Sequence, residues 1–303
     1  MVTIVALTGA TGFIGGYLQK HLIRSGVRLR ALSRSQEGFD QGVEWIRGSL
    51  EDIDSLARLT AGAEIVVHCA GAVRGASPQY FNRVNVDGSL WLLQAAQESS
   101  TCKRFLLVSS LAARHPELSW YAASKHQAEL VLREAAADLA VTIFRPTAVY
   151  GPGDRELRSL FKWMLRGWLP VLGQNDARLT FLHVEDLTRA VLQWVEAPRV
   201  ASGVYELHDG QENGYSWQEL AAIAEEIRNG PVHQIPVPAT ALHTLAWINM
   251  TCSHLIGHAP MLTPAKVREL RHPDWSCDNQ PILQDLGWQP TMSLKNSLAK
   301  QSF

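Results

Sequence analysis

The segment Thr8-Gly9-Ala10-Thr11-Gly12-Phe13-Ile14-Gly15 constrains this chain more than any other stretch. It joins a short apolar run at residues 2–7 to a helix-forming stretch at 13–25, which Gly26 ends. A strand that turns on glycine into a helix leaves the helix N-terminus open, with unpaired N–H groups above the turn. Gly9 permits the tight turn. Gly12 lets the backbone approach an anion such as a pyrophosphate, and Gly15 permits close packing of helix on sheet. Two residues separate the first glycines, so the pattern is Gly-x-x-Gly-x-x-Gly. With a strand before and a helix after, it reads as a cradle for a dinucleotide.

The chain then alternates apolar strands with helices. Strands are expected at 27–33, 43–47, 64–69, 104–109, 141–145 and 204–207. Helices are expected at 53–59, 78–99, 120–139, 157–168 and 184–195. Nearly continuous apolar strands mean a parallel sheet covered on both faces. The expectation is an α/β fold, a Rossmann-like doubly wound parallel sheet with a smaller C-terminal substrate lobe. Residues 1–150 with roughly 182–210 would bind the dinucleotide, and 151–181 with 211–303 would form the lobe.

Bulk properties narrow the partners. With 46% hydrophobic and 19% charged residues the chain is ordinary for a soluble globular protein. A net charge of -1 argues against nucleic-acid binding through bulk charge. No apolar run reaches the roughly 18 residues of a spanning helix, and the first run breaks too soon for a signal peptide. Cys69, Cys102, Cys252 and Cys277 are far apart and form no Cys-x-x-Cys, which suits free thiols in a reducing compartment. A cytoplasmic location is expected. His254 and His258 stand four apart, but no Glu follows His254, so no metal site is expected.

Tyr121 and Lys125, in Tyr121-Ala122-Ala123-Ser124-Lys125, fall one helical turn apart and point the same way. An ammonium beside a phenol favours the phenolate, so such a tyrosine exchanges a proton nearer neutral pH. Upstream, Ser109-Ser110 ends an apolar strand, and the Ser110 hydroxyl can hold a carbonyl or alcohol oxygen. Arg34, in Ser33-Arg34-Ser35, stands where an acidic residue would grip the ribose hydroxyl of NAD. An arginine there favours the 2′-phosphate of NADP, with NAD as the alternative. Cys69-Ala70-Gly71 and Arg145-Pro146-Thr147 end two further strands beside the same ligand.

These motifs resemble the short-chain dehydrogenase/reductase superfamily in its extended branch of epimerases, dehydratases and ketone reductases. The resemblance runs through residues 8–15, Asn85-Val86-Asp87-Gly88, Ser109-Ser110, Tyr121 to Lys125, Arg145 to Asp154 and Phe181-Leu182-His183-Val184-Glu185-Asp186. It implies that Tyr121 is the acid/base, that Lys125 holds the nicotinamide ribose and lowers the tyrosine pKa, and that Ser110 orients the reacting oxygen. It also implies that Gly9, Thr11, Gly12, Phe13, Ile14, Gly15, Arg34, Leu50, Ala70, Gly71, Tyr121, Lys125 and Pro146 line the cofactor. In this family the helices at 78–99 and 120–139 commonly build a four-helix dimer, and Leu90, Leu92, Leu93, Leu130, Val131 and Leu132 offer apolar surface for one.

Departures from the family pattern bear on the substrate. Ala148 replaces the asparagine that sugar-nucleotide members place in Arg-x-x-Asn. Leu111-Ala112 follow Ser110 where sugar dehydratases carry Asp-Glu. The Val-Tyr-Gly stretch that sugar enzymes often show after the serine is missing, and the loop from Ser110 to Tyr121 is short. The expected reaction is hydride transfer on a small or apolar ketone or secondary alcohol. A nucleotide-sugar epimerase stays as an alternative, as does a non-catalytic NADP-binding sensor. Arg158, Lys162 and Arg166 form a basic stripe that is either a solvated face or a clamp for an anionic tail. His183 is expected to be structural. The apolar stretch 236–262, with Trp247, Ile248, Met250, Leu255 and Ile256, is expected to be buried in the small lobe, with a substrate lid and then membrane-surface attachment as alternatives.

Overall fold

The computed structural model describes residues 2–198, 202–256, 262–301 and 303. In chain order its strands are β1 (Ile4–Thr8), β2 (Arg28–Ser33), β3 (Gly38–Asp40), β4 (Val43–Arg47), β5 (Ile65–His68), β6 (Arg104–Val108), β7 (Ala140–Pro146), β8 (Ala148–Tyr150), β9 (Trp168–Val171), β10 (Phe181–His183), β11 (Gly203–Leu207) and β12 (His233–Pro236). Eight of them form one sheet in the order β11-β7-β6-β5-β1-β2-β4-β3. Every pair in it is parallel except the β3–β4 hairpin. The strand order reverses at β1, and in such sheets ligands bind beyond the carboxyl ends at that reversal.

Both faces of the sheet are covered, as the apolar strands require. Helices α1 (Phe13–Arg24) and, later in the chain, Val184–Glu196 lie on one face. Leu18, Leu22, Leu187, Val191 and Trp194 fill that side with Val5, Leu7, Leu29 and Val67 of the strands. The other face takes Leu56 and Leu59 of α2 (Ile53–Thr60). Leu92, Leu93 and Leu132 complete it. A separate core joins Tyr150, Phe161, Met164, Phe181, Trp217, Leu220 and Leu298. Asp186, fully buried, ties the late chain to the sheet by accepting from the backbone N–H of Thr291 and Met292.

Several expected elements differ in detail. The stretch 78–99 is not one regular helix. It runs as α3 (Pro78–Phe81), a wide-turned segment Asn82–Asp87, then α4 (Gly88–Glu98). The wide turns hold Asn85 against the β5 loop, where its side chain accepts from Ala72 N–H at 2.7 Å and donates to Ala72 O at 3.0 Å. Such π-type turns often mark functional positions. The next helix, α5 (Trp120–Ala135), stops short of residue 139 because Ala137 takes a φ of 48°. Helix α6 (Arg158–Leu165) ends before Trp168, which starts β9 and is exposed instead of packing on the helix's apolar face.

Helix α7 (Val184–Glu196) is capped by His183, whose Nδ1 accepts from Glu185 N–H at 3.2 Å. The chain closes with α8 (Trp217–Arg228), α9 (Ala239–Ile256), α10 (Pro264–Leu270), α11 (Gln280–Leu286) and α12 (Leu294–Ala299). Leu92, Leu93 and Leu132 are spent on the sheet. Of the six residues suggested for a dimer face, Leu90, Leu130 and Val131 are left at least partly exposed. Among its described side chains, the apolar α9 is buried along one stripe. Leu242 and Ala246 pack on Val267 of α10, while Leu245, Trp247 and Ile248 face outward. Residues 257–261, with His258, lie outside the described residues, as do the side chains of 252–256, His254, Leu255 and Ile256 included. No described helix is long and apolar enough to cross a membrane.

One buried polar chain locks the glycine turn to the sheet. The Ser89 hydroxyl donates to Asn85 O at 2.6 Å, so its oxygen is left to accept from His68 Nε2–H at 2.8 Å. His68 Nδ1 then accepts from the Thr8 hydroxyl at 2.6 Å, and Thr8 Oγ1 accepts from Ala70 N–H at 3.2 Å. This order assigns the tautomer and needs a neutral imidazole. Burial, helped by the Lys125 charge, pushes the His68 pKa down to about 3. Below about pH 6.5 the unfolded chain takes up a proton that the folded chain refuses, so acid favours unfolding. That window is worth up to about 5 kcal/mol at about 1.4 kcal/mol per pKa unit. Urea unfolding of the wild type should therefore lose stability from pH 6.5 to 4, and His68→Gln should show a flatter dependence. Equal slopes for the two proteins would remove His68 as the cause.

Candidate active site

The residues singled out from the sequence converge on one edge of the sheet, because each follows the carboxyl end of a strand. Gly9 to Gly15 follow β1, Arg34 follows β2, and Leu50 lies three residues past β4. Ala70 and Gly71 follow β5, Ser110 follows β6, and Pro146 closes β7. Parallel strands put all these ends on one side.

The glycine turn is built for a ligand's approach. Gly9 has a φ of +76°, and a Cβ there would stand 2.7 Å from Ala70 N. A Cβ on Gly15 would fall 1.9 Å from Gly9 O, so helix and turn touch backbone to backbone. Gly12 is the N-cap of α1, with no side-chain cap and no acidic residue in the first turn. The positive end of α1 is thus left for an anion. Thr11 and Gly12 are exposed above it, Ile14 packs into the core, and Phe13 faces Gly153. Leu50 packs against Gly88 at the far wall. This cradle fits the pyrophosphate of a dinucleotide.

Arg34 is exposed past the end of β2 and has no side-chain partner among the described residues. Beside it the β3 hairpin closes a polar hollow of about 320 Å³ lined by Thr11, Gln19, Gln36, Asp40, Gln41 and Trp45. Nothing in the apolar pattern announced that hairpin. It turns on Gln41 and Gly42, both with positive φ, and its Phe39 is exposed.

Helix α5 carries the candidate proton chemistry. Ser119 caps it, accepting from Ala122 N–H at 3.0 Å. Tyr121 follows, half-buried, its ring edge-on to Phe81. The Ser110 hydroxyl lies beside the Tyr121 phenol and acts to lower its pKa. Ser110 also caps the short turn Leu111–Arg114 by accepting from Ala112 N–H at 3.2 Å. Lys125 is buried and donates to Val108 O at 3.1 Å. A Cβ on Gly71 would stand 3.3 Å from its Nζ, so the amine looks out over Gly71. One turn further on, Glu129 is buried under Arg145, which grips it with Nε at 3.1 Å from both oxygens. Ser109 donates to Glu129 as well. Asn85 donates to Ser124 at 2.9 Å and so ties α5 to the β5 loop.

The electrostatics differ from the sequence expectation. Burial raises the Tyr121 pKa above the usual phenol value. The Ser110 hydroxyl opposes that rise, and so does the charge of Lys266, whereas Glu269 and Cys69 add to it. Lys125 is not among the largest influences on the phenol. Its own pKa is lowered by burial, against the pull of Cys69 and Glu129. Desolvation therefore outweighs the neighbouring cations, and Tyr121 is a protonated phenol at neutral pH. Lys266 and Glu269 of α10 went unnoticed in the sequence, because nothing in their spacing ties them to Tyr121. Glu129 was legible in principle, as the third step of the ladder Tyr121, Lys125, Glu129.

The basic stripe of α6 borders a second hollow. Arg158, Lys162 and Arg166 line this space of about 360 Å³ with Leu165, Gln301 and Phe303. The thiols of Cys69 and Cys102 are pushed up to about 11 by burial, and that of Cys277 to about 12.

Comparison with known proteins gives a consistent picture. The family model described as the NAD dependent epimerase/dehydratase family matches residues 5–207. A ceramide reductase of Caulobacter vibrioides is 38% identical over 286 residues, covering 93% of this chain and 88% of the relative. A UDP-glucose 4-epimerase of Vibrio cholerae is 25% identical, covering 96% of this chain and 92% of the relative. Among solved structures, the UDP-glucuronic acid 4-epimerase of Bacillus cereus in complex with UDP-glucuronic acid and NAD superposes with a TM-score of 0.74 at 19% identity, covering 99% of this chain and all of that one. That last likeness speaks for the fold.

The open N-terminus of α1 can be tested directly. Gly12→Asp places a carboxylate at the N-cap, where it can accept from the first-turn N–H groups and keep the helix stable. The same carboxylate occupies the anion position, so NAD(H) affinity should fall roughly tenfold or more in a calorimetric titration, while the melting temperature holds. Unchanged affinity would place the pyrophosphate elsewhere.

Proposed function

The chain belongs to the NAD-dependent epimerase/dehydratase family of enzymes, and we propose that it is a reductase that converts an apolar ketone to a secondary alcohol with Tyr121 as the acid. The observation that carries this reading is the place of the Tyr121 phenol beside Ser110 at the carboxyl end of β6, one helical turn from the buried Lys125, where burial raises the phenol pKa. A carbonyl oxygen that gains hydride at its carbon needs one proton, and a desolvated phenol has one to give at neutral pH. The nicotinamide, when bound, supplies the hydride. Ser110 holds the carbonyl oxygen against the phenol. Lys125, braced by Val108 O, lies over Gly71 and would hold the nicotinamide ribose. Gly9, Gly12 and Gly15 would seat the pyrophosphate, with Thr11, Phe13, Ile14, Leu50, Ala70 and Pro146 around the rest.

Two further points support a reductase over the other family chemistries. Leu111 and Ala112 follow Ser110, so the acid and base that an elimination needs are missing there. The ceramide reductase, named for a lipid, is the more similar of the two curated relatives above. A nucleotide-sugar epimerase is the second reading, favoured by the hollow under Arg158, Lys162 and Arg166, which form no ion pair among the described residues.

In this reading Tyr121→Phe keeps dinucleotide binding and lowers kcat by about 10²- to 10⁴-fold, the usual span for a general acid. Reduction needs the protonated phenol, so its kcat/KM should hold through neutral pH and fall only as pH climbs toward the raised pKa. Oxidation of the alcohol should rise over the same range. Full turnover by the phenylalanine variant on a panel of ketones and UDP-sugars would remove Tyr121 from the mechanism, and turnover of UDP-sugars alone would favour the epimerase.

The finer choice of cofactor is proposed as NADP. Arg34 offers a guanidinium to a 2′-phosphate, while Asp40 in the neighbouring hollow offers a ribose hydroxyl an acceptor. NADPH should bind more tightly than NADH in fluorescence titration, and Arg34→Ala should cost NADPH about tenfold with little change for NADH. An equal loss for both would show that Arg34 does not select.

A further inference from the structure

Helix α10 brings a lysine and a carboxylate to the first turn of α5, within electrostatic range of the Tyr121 phenol. Lys266 Nζ and Glu269 Oε2 are 2.9 Å apart on adjacent turns. Glu269 is buried, and its other oxygen accepts from the Ser119 hydroxyl, the cap of the helix that carries Tyr121. Arg268 Nε donates to Leu118 O at 2.9 Å, which pins the same turn of α10 to the same loop. Both carboxylate oxygens are therefore engaged, and the pair has a fixed position relative to α5.

The two partners differ in exposure. The Glu269 side chain is 7% exposed and that of Lys266 is 44%. An ammonium has three N–H donors. Glu269 takes one, and no other side-chain or backbone acceptor for Lys266 exists among the described residues. Lys266 and Tyr121 also feel each other's charge, with Glu156 acting on Lys266 from the loop before α6. A pair that served only to bridge α10 to α5 would need the carboxylate, Ser119 and Arg268. It would not need a part-exposed lysine with two spare donors beside the turn that carries the reacting phenol.

We propose that Lys266 is a substrate anchor, its two free N–H groups receiving an acceptor oxygen that the substrate carries close to the carbonyl being reduced. This rests on the ketone-reductase reading and deepens it. The class of substrate is a ketone bearing a second oxygen acceptor near the reacting carbon, either a carboxylate or an amide carbonyl. Glu269 and Ser119 are positioning residues that aim the ammonium. The Arg74–Glu156 ion pair stands at the neighbouring loops.

The test uses three chain-length-matched ketones: a plain 2-alkanone, a 3-oxoalkanoate and a 3-oxoalkanamide. Lys266→Met keeps the stem and removes the donors. It should lower kcat/KM for the oxygen-bearing ketones roughly tenfold more than for the plain one, through KM and not kcat, at the cost of one charge-assisted hydrogen bond. Lys266→Arg should recover part of that difference. A loss confined to the oxoalkanoate assigns a carboxylate, and a loss with both assigns a carbonyl acceptor. An equal loss on all three ketones, or none, overturns the proposal. If the wild type reduces none of them, the reductase reading has failed. Calorimetric binding of the oxoalkanoate and the oxoalkanamide to wild-type and Lys266→Met protein loaded with NADP⁺ then decides the anchor by itself, with weaker binding of either ligand to the variant supporting it and equal binding of both refuting it.

Discussion

Backbone contact at the glycine turn governs the rest of this molecule. With Gly15 lying so close to Gly9 O that no Cβ fits between them, α1 has one possible approach to β1. That approach aims the uncapped N-terminus of α1 over the carboxyl end of the sheet. It also brings Gly9 against the backbone of Cys69 and Ala70, which sets the distance between the ends of β1 and β5. The buried chain from Thr8 through His68 and Ser89 to Asn85 then holds those ends together. Steric closeness makes the cradle, and a fully satisfied polar network keeps it rigid.

Asn85 passes that rigidity to α5. It binds Ala72 on one side and Ser124 on the other, so the helix bearing Tyr121 is indexed to the same strand end that carries Gly71. Lys125 to Val108 O and Glu129 to Arg145 and Ser109 add two more ties along one face of α5. Each is a charged group bonded where water is scarce. Breaking one would leave its partner unpaired, at a cost of several kcal/mol for a buried charge. The widened turns at Asn82–Asp87 are part of this scheme, since a regular helix would carry Asn85 past Ala72.

Much of the sheet edge was legible in the sequence because its signals are local. Apolar runs mark β1, β2, β5, β6 and β7, and the glycine spacing marks the turn between β1 and α1. The candidate residues that follow a strand lie together along one edge, since parallel strands share a carboxyl side. What escaped depends on distant partners. The β3 hairpin has no apolar alternation and hangs on two positive-φ positions. Trp168 continued the apolar face of α6 on paper, but Gly167, at a φ of +95°, breaks the helix and sends it into β9. The α9 stretch looks buried from hydropathy alone, yet among the described residues Leu242 and Ala246 pack on Val267 while Leu245, Trp247 and Ile248 are exposed. Glu269, which holds Lys266, meets Ser119 across roughly half the sequence, and no local pattern records such a meeting.

The contrast between Lys125 and Lys266 shows how geometry divides the work of two amines. Tyr121 and Lys125 share a helix face, which suggested that the second tunes the first. In the fold Lys125 is drawn inward to Val108 O and lies next to Gly71, so its charge is spent on the floor of the dinucleotide edge. The phenol is left with burial as its main influence, and burial favours the neutral acid. A phenol in that state suits the direction in which a carbonyl oxygen must be given a proton. For the reverse direction the phenolate has to form first, and a dinucleotide whose ring carries positive charge would lower that cost by Coulomb attraction at short range.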